Sequence, residues 1–131
     1  MVTGASKGLG EGIARTLAEK VPPPNSSTAV QGVLVVLVAR GVEQLEEVAR
    51  SITGAGGRAV ARAADITSKE EVRSLGRWVR EEVGLPTILV NNAGVGSVAD
   101  FATLPAEVWE PQIDLNITAG LHCIRFASQE S

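Results

Sequence analysis

The run Val33-Leu34-Val35-Val36-Leu37-Val38 constrains the fold more than any other stretch of this chain. Six consecutive branched apolar residues have no polar face to turn to water, so as a strand they must be covered on both sides. Strands of that kind belong to parallel sheets, whose crossover connections place helices over both faces. The flanking segments supply the helices. Leu9, Ile13, Leu17 and Val21 recur at helical spacing and predict a helix over 9–20, stopped by Pro22-Pro23-Pro24. Val42, Leu45, Val48, Ala49 and Ile52 predict a second over 41–53, ended by Gly54-Ala55-Gly56-Gly57, with a short strand over 58–64 after it.

Beyond Asp65, the Thr67-Ser68 pair caps a third helix. Glu70 and Glu71 suit its first turn, and Val72, Leu75, Trp78, Val79 and Val83 form its inward stripe, with Trp78 read as core. Thr87-Ile88-Leu89-Val90 reads as another buried strand. A loop then runs to about residue 111, and a last helix covers 113–128. The Pro-, Asn- and Ser-rich residues 22–31 are expected to form a mobile surface loop, longer than the usual connection. Regular alternation of strand and helix predicts an α/β, Rossmann-like doubly wound parallel sheet. With 131 residues the chain has room for a single domain over 1–131.

Ahead of the first helix stands Thr3-Gly4-Ala5-Ser6-Lys7-Gly8-Leu9-Gly10. Glycines let the backbone approach a ligand closely, and the free amides at the start of a helix point at it with the positive end of the helix dipole, which suits a pyrophosphate. Only Met1 and Val2 precede this loop, so the first strand is nearly absent from the sequence. Arg40 follows directly on the second strand, where a doubly wound fold meets the adenosine ribose. An acid there would accept from the two hydroxyls of NAD. Arginine, beside Ala39 and with Lys7 in the loop, suits a 2′-phosphate, so NADP(H) is favoured over NAD(H).

Other function classes are disfavoured. The net charge is −3 and the twelve Lys and Arg are scattered, which gives no basic field for nucleic acid. The longest apolar run, 32–39, is far short of the ~20 residues that span a bilayer, and no signal pattern opens the chain, so no membrane partner and a cytoplasmic location are expected. Cys123 is alone, which excludes an internal disulfide and a thiolate zinc site, and is read as a small core residue. His122 has no neighbouring ligand or triad partner, and no metal is expected.

Four motifs in this order resemble the N-terminal half of a short-chain dehydrogenase/reductase: the Thr3–Gly10 loop, Asp65-Ile66, Asn91-Asn92-Ala93-Gly94, and Asn116 in the last helix. The resemblance implies that Gly4, Ser6, Lys7, Gly8, Leu9 and Gly10 cradle phosphates and that Arg40 holds the 2′-phosphate. It places Asp65 and Ile66 at the adenine, and Asn92, Ala93 and Gly94 along the path from adenosine to nicotinamide. Asn116 would help hold a water of a proton relay. The implied reaction is hydride transfer between NADP(H) and a small-molecule carbonyl or alcohol, using a serine, a tyrosine and a lysine that the resemblance puts beyond Ser131. The chain has no tyrosine, so it is expected to be an incomplete oxidoreductase domain, inactive alone. The alternatives are a non-catalytic nucleotide-binding module and a non-functional truncated product. Exposed strand edges leave a homo-oligomer open, and nothing selects the substrate.

Overall fold

The branched run forms β2 (Leu34–Ala39), in which Val35, Val36, Leu37 and Val38 are all buried in succession. The computed structural model describes residues 1–19 and 33–129. The expected loop over 22–31, its proline stop and Val21 lie outside the described residues. Side chains alternate across a strand, and β2 divides its own between two cores. Val36 and Val38 join Val72, Leu75, Val79, Cys123 and Phe126 on one face, whereas Val35 and Leu37 join Ala14, Ala18, Leu45, Val48 and Ile52 on the other. This is the two-sided covering that the absence of any polar position demands.

β2 lies between β1 (Val2–Thr3) and β3 (Arg58–Ala63), parallel to both, with Val2 opposite Leu37 and Leu34 opposite Arg58. The far side of β1 meets residue 90. Val90 bridges Val2 in parallel, Val90 N donates to Met1 O at 2.9 Å, and Thr3 N donates to Val90 O at 3.1 Å. Residues 87–90 therefore do not form the full strand expected of them. Among the described residues their ladder partner is β1, two residues long, and pairing ends where that partner ends.

The helices α1 (Gly8–Ala18), α2 (Val42–Gly54) and α3 (Lys69–Glu82) occupy the expected stretches. The buried side of α1 differs from expectation. Leu9 is 74% exposed, and Gly10, Ala14 and Ala18 make the contact, with Ile13 and Leu17 half-buried beside them. One residue along a helix turns the direction by ~100°, so a helix that presents Gly10 to the loop before it must point Leu9 outward. On α2, Leu45, Val48 and Ile52 face inward, and Val42 at the first turn is half exposed. In α3, Trp78 is only half-buried against the core, and the Arg62 guanidinium sits 5.1 Å from its ring centroid. The residue therefore serves both as packing and as a cation's platform.

The last helix begins earlier than expected. It runs as α4 (Ala106–Ile113), a single π-helical segment (Asp114–Ala119) and α5 (Gly120–Ala127), without a break in helical dihedrals. Pro111 had marked a start after it, since proline lacks the N–H that an interior position donates. Here it falls in the second turn of α4, which buries none of its residues, so the helix tolerates the lost bond at a solvated edge. Among the described residues no helix is long and apolar enough to cross a membrane.

Leu37 is fully buried at the centre of β2. Leu37→Ala is expected to lower stability by about 2–5 kcal/mol, read as a reduced urea midpoint at unchanged slope.

Candidate functional site

The carboxyl ends of β1, β2 and β3 open onto a groove of about 630 Å³, the position at which open parallel sheets receive ligands. Gly4, Ser6, Lys7 and Gly8 wall one side, Arg40 and Gly41 follow β2, Asp65, Ile66 and Thr67 follow β3, and Asn92, Ala93 and Gly94 follow the Val90 bridge. The three loops that the sequence analysis singled out thus converge on one space. Leu9 and Gly10 lie outside its lining. Leu9 projects to solvent, and Gly10 sits behind the loop, where an added Cβ would collide with the Gly4 carbonyl oxygen and the Asn92 side-chain amide.

Two backbone requirements shape the loop. Gly4 adopts φ +64°, and a Cβ there would stand 2.9 Å from Ala93 Cα, so the position admits only glycine. α1 then begins at Gly8 with no side-chain cap on its first N–H groups, which leaves the positive end of the helix beside the groove wall formed by Lys7 and Gly8.

Thr3 ties the loop to the opposite wall. Its Oγ1 accepts from Asn92 N and Ala93 N, both at 3.1 Å. Asn92 returns the contact by donating through Nδ2 to the carbonyls of Thr3 and Gly4, each at 3.2 Å. Asn91 turns the other way and donates to Gly120 O at 3.3 Å. Asn116 lies in the π-helical segment and clasps the backbone of Val95: Oδ1 accepts from Val95 N at 2.8 Å and Nδ2 donates to Val95 O at 2.7 Å. A widened turn of this kind commonly marks a functional position in a helix. Here it carries the residue that holds the rim after Gly94.

The Asp65 carboxylate lies well organised at the far end of the groove. Thr67 donates to its Oδ1 through Oγ1 at 2.6 Å and through the backbone N at 2.9 Å. The hydroxyl bond, followed by the backbone bond, holds its pKa below the ordinary 3.8 against an opposing effect of burial, and the Arg40 charge adds a still smaller lowering. Cys123 belongs to the core and not to this groove; burial pushes its thiol up to about 11. His122 also lies away from the groove, and its Nε2 is buried without a hydrogen-bond partner among the described residues.

Several lining residues escaped the sequence reading: Thr3, Gln44, Thr67, Val95 and Leu115. Thr3 was visible as part of the glycine-rich run but carried no assigned role. Thr67, two residues after an aspartate, has the spacing of a side-chain-to-backbone turn, which could have identified it. Gln44 and Leu115 give no signal in sequence, because helical rotation alone brings them to the groove.

A family model described as short chain dehydrogenase matches residues 1–130. The chain is 40% identical over 126 residues to an uncharacterized oxidoreductase of Staphylococcus saprophyticus, covering 95% of this chain and 49% of the relative. Among solved structures, it resembles a metagenomic short-chain oxidoreductase in complex with NADP, with 36% identity, a TM-score of 0.82, and coverage of 95% of this chain and 52% of that one. It also resembles the L-sorbose reductase of Gluconobacter frateurii, complexed with NADPH and L-sorbose, with 34% identity, a TM-score of 0.83, and coverage of 96% and 44%. The chain spans about half the length of these relatives.

Thr3→Val keeps the shape and removes the hydroxyl, leaving the N–H groups of Asn92 and Ala93 without their acceptor. A loss of about 1–3 kcal/mol is expected by urea denaturation, with Thr3→Ser recovering most of it. Asp65 yields a pH prediction. Because its folded pKa lies below its unfolded value, its contribution to stability is fully present above pH 3.8 and is lost as the pH falls through the lowered value. Acid unfolding of Asp65→Asn, compared with the parent chain, should lack that component.

Proposed function

The chain belongs to the short-chain dehydrogenase family, and from that premise we propose that it forms the NADP(H)-binding part of an oxidoreductase interconverting a small-molecule alcohol and carbonyl. The observation that carries this reading is the convergence of the Gly4–Gly8 loop, Arg40, Asp65-Ile66 and Asn92–Gly94 on one groove at the carboxyl ends of the strands. The groove fits a dinucleotide on its own features. At Gly4 and Gly10 a side chain would close the loop against the opposite wall, and the uncapped start of α1 beside Lys7 favours an anionic group. The nicotinamide group, when bound, supplies or accepts the hydride.

The residues of this chain bind and orient. In this reading the backbone from Gly4 to Gly8 receives the pyrophosphate, the Asp65 carboxylate and Ile66 meet the adenine, and Ala93 and Gly94 line the path toward the nicotinamide. Arg40, at the end of β2, receives the 2′-phosphate. Among the described residues neither Arg40 nor Lys7 forms an ion pair, so both charges are available to a ligand. Asn116 uses one lone pair and one N–H on Val95. Its second lone pair and second N–H are what a water-holding role would draw on.

A second reading applies to the chain taken by itself: nucleotide binding without turnover. It is favoured by the absence of tyrosine from the sequence, since the acid/base that the resemblance implies has no candidate here.

NADPH and NADH titrations of the purified chain, followed by cofactor fluorescence and thermal shift, test both readings. Saturable binding that is tighter for NADPH is expected. Arg40→Asp should weaken NADPH by ~10–100-fold, the worth of a charge-assisted hydrogen bond, and leave NADH nearly unchanged. Equal losses would show that Arg40 does not read the 2′-phosphate. A folded chain that binds neither cofactor would overturn the cofactor site itself.

A further inference from the structure

The segment between Gly94 and α4 inverts the polarity of an ordinary surface loop. Residues 95–105 form neither helix nor strand, yet they are tied in succession to the helix that follows. Asn116 clasps both backbone groups of Val95, at 2.8 and 2.7 Å. About one turn back along the helix, Gln112 Nε2 donates to Ser97 Oγ at 2.8 Å. About one turn further back, the rings of Trp109 and Phe101 meet with centroids 6.3 Å apart. The segment is therefore an arch laid antiparallel along the helix. Asp100 closes its far end: Oδ1 accepts from Ala102 N at 3.0 Å, and its carbonyl accepts from Thr103 N at 3.1 Å.

Ser97 and Asp100, the polar side chains of the arch, are thus engaged in holding it, whereas its apolar side chains are turned outward. Val95 is 50%, Val98 107% and Phe101 73% exposed. A single exposed apolar residue needs no explanation. Three within seven positions, on a backbone fixed at Val95, Ser97 and Asp100, form an ordered apolar strip, the kind of surface that meets an apolar partner. The strip also has a direction. Val95 belongs to the lining of the groove, together with Gly94, Pro111 and Leu115. From there the strip leads outward over Val98 to Phe101. It offers no side-chain donor or acceptor, and Asn116 already takes both the N–H and the carbonyl of Val95.

We propose that this strip receives an aliphatic tail on the substrate, so that the alcohol or carbonyl group taken at the nicotinamide end carries an extended apolar chain and is not a polyol. The continuity of the strip with the groove through Val95 favours a ligand of the groove over a second macromolecule. An alkyl chain gains by leaving water along Val98 and Phe101, and a polyol would lose hydrogen bonds there without replacement. The inference deepens the reading that the groove takes NADP(H), and rests on it.

NMR titration of the NADP⁺-saturated chain with butanol, hexanol, octanol and sorbitol tests the assignment. The alcohols should shift the amides of residues 95–101 and the Trp109 indole N–H, with the Trp78 indole on α3 as internal reference. Affinity should rise by about two- to fourfold per added methylene, as expected for a CH₂ that is partly to fully buried, and sorbitol should shift none of these signals. Val98→Ser and Phe101→Ser lie at exposed positions where the fold has little to lose. Each should weaken octanol by about tenfold, with little effect on butanol and none on NADPH. Affinity independent of chain length, or equal binding of sorbitol, would overturn the proposal and leave the cofactor site standing. Arch signals that move with protein concentration and not with alcohol would make the strip a contact between copies, and overturn it likewise. A folded chain that binds no NADP⁺ removes the cofactor reading, and this inference with it.

Discussion

The Thr3 hydroxyl is the interaction on which the upper end of this molecule depends. It is 1% exposed, and it joins β1 to the segment after Val90 by accepting from two successive backbone amides. Its own hydrogen points to Val90 O at 3.4 Å, so one donor and two acceptors are all engaged. A two-residue strand has little pairing of its own to offer. The hydroxyl supplies the lateral bonding that a longer ladder would otherwise provide. With Thr3 held, Asn92 can close over the carbonyls of Thr3 and Gly4, and the sharp turn at Gly4 is locked from both sides.

The two cores that flank β2 are built differently. On the α1 side the contacts are small, Gly10, Ala14 and Ala18, so the helix lies close to the sheet and its first turn comes near the strand ends. On the other face the Phe126 ring of α5 packs over Gly76 of α3, where any Cβ would approach it to 2.8 Å, so α3 and α5 meet closely.

Much of this was legible in the sequence, for reasons particular to each element. β2 could be read because six apolar residues in succession permit one kind of strand. Gly4 could be read because a backbone turn of positive φ calls for glycine, whereas Asp65 was singled out only through the family resemblance. Leu9 was misassigned because apolar spacing gives a helix its period but not its phase, and the phase is set here by Gly10 meeting the preceding loop. The start of α4 was hidden by Pro111, which reads as a stop unless the helix around it is solvated. The reach of Glu71 Oε2 to Asp65 N, at 2.6 Å, could not be read at all, since Ser68-Lys69-Glu70-Glu71 spells an ordinary capping box.

The bonds around Thr3 join residues separated by 87 to 90 positions in the chain, whereas β2 and β3 are neighbours linked through α2 alone. Loop-closure entropy must be overcome before such distant contacts stabilise anything. The paired strands and their helices can therefore assemble locally, whereas the rim at Thr3 and Gly4 closes only with the chain beyond Val90. A ligand bound in the groove would touch both ends of this long-range closure, and its binding free energy would add to the contacts that hold them together.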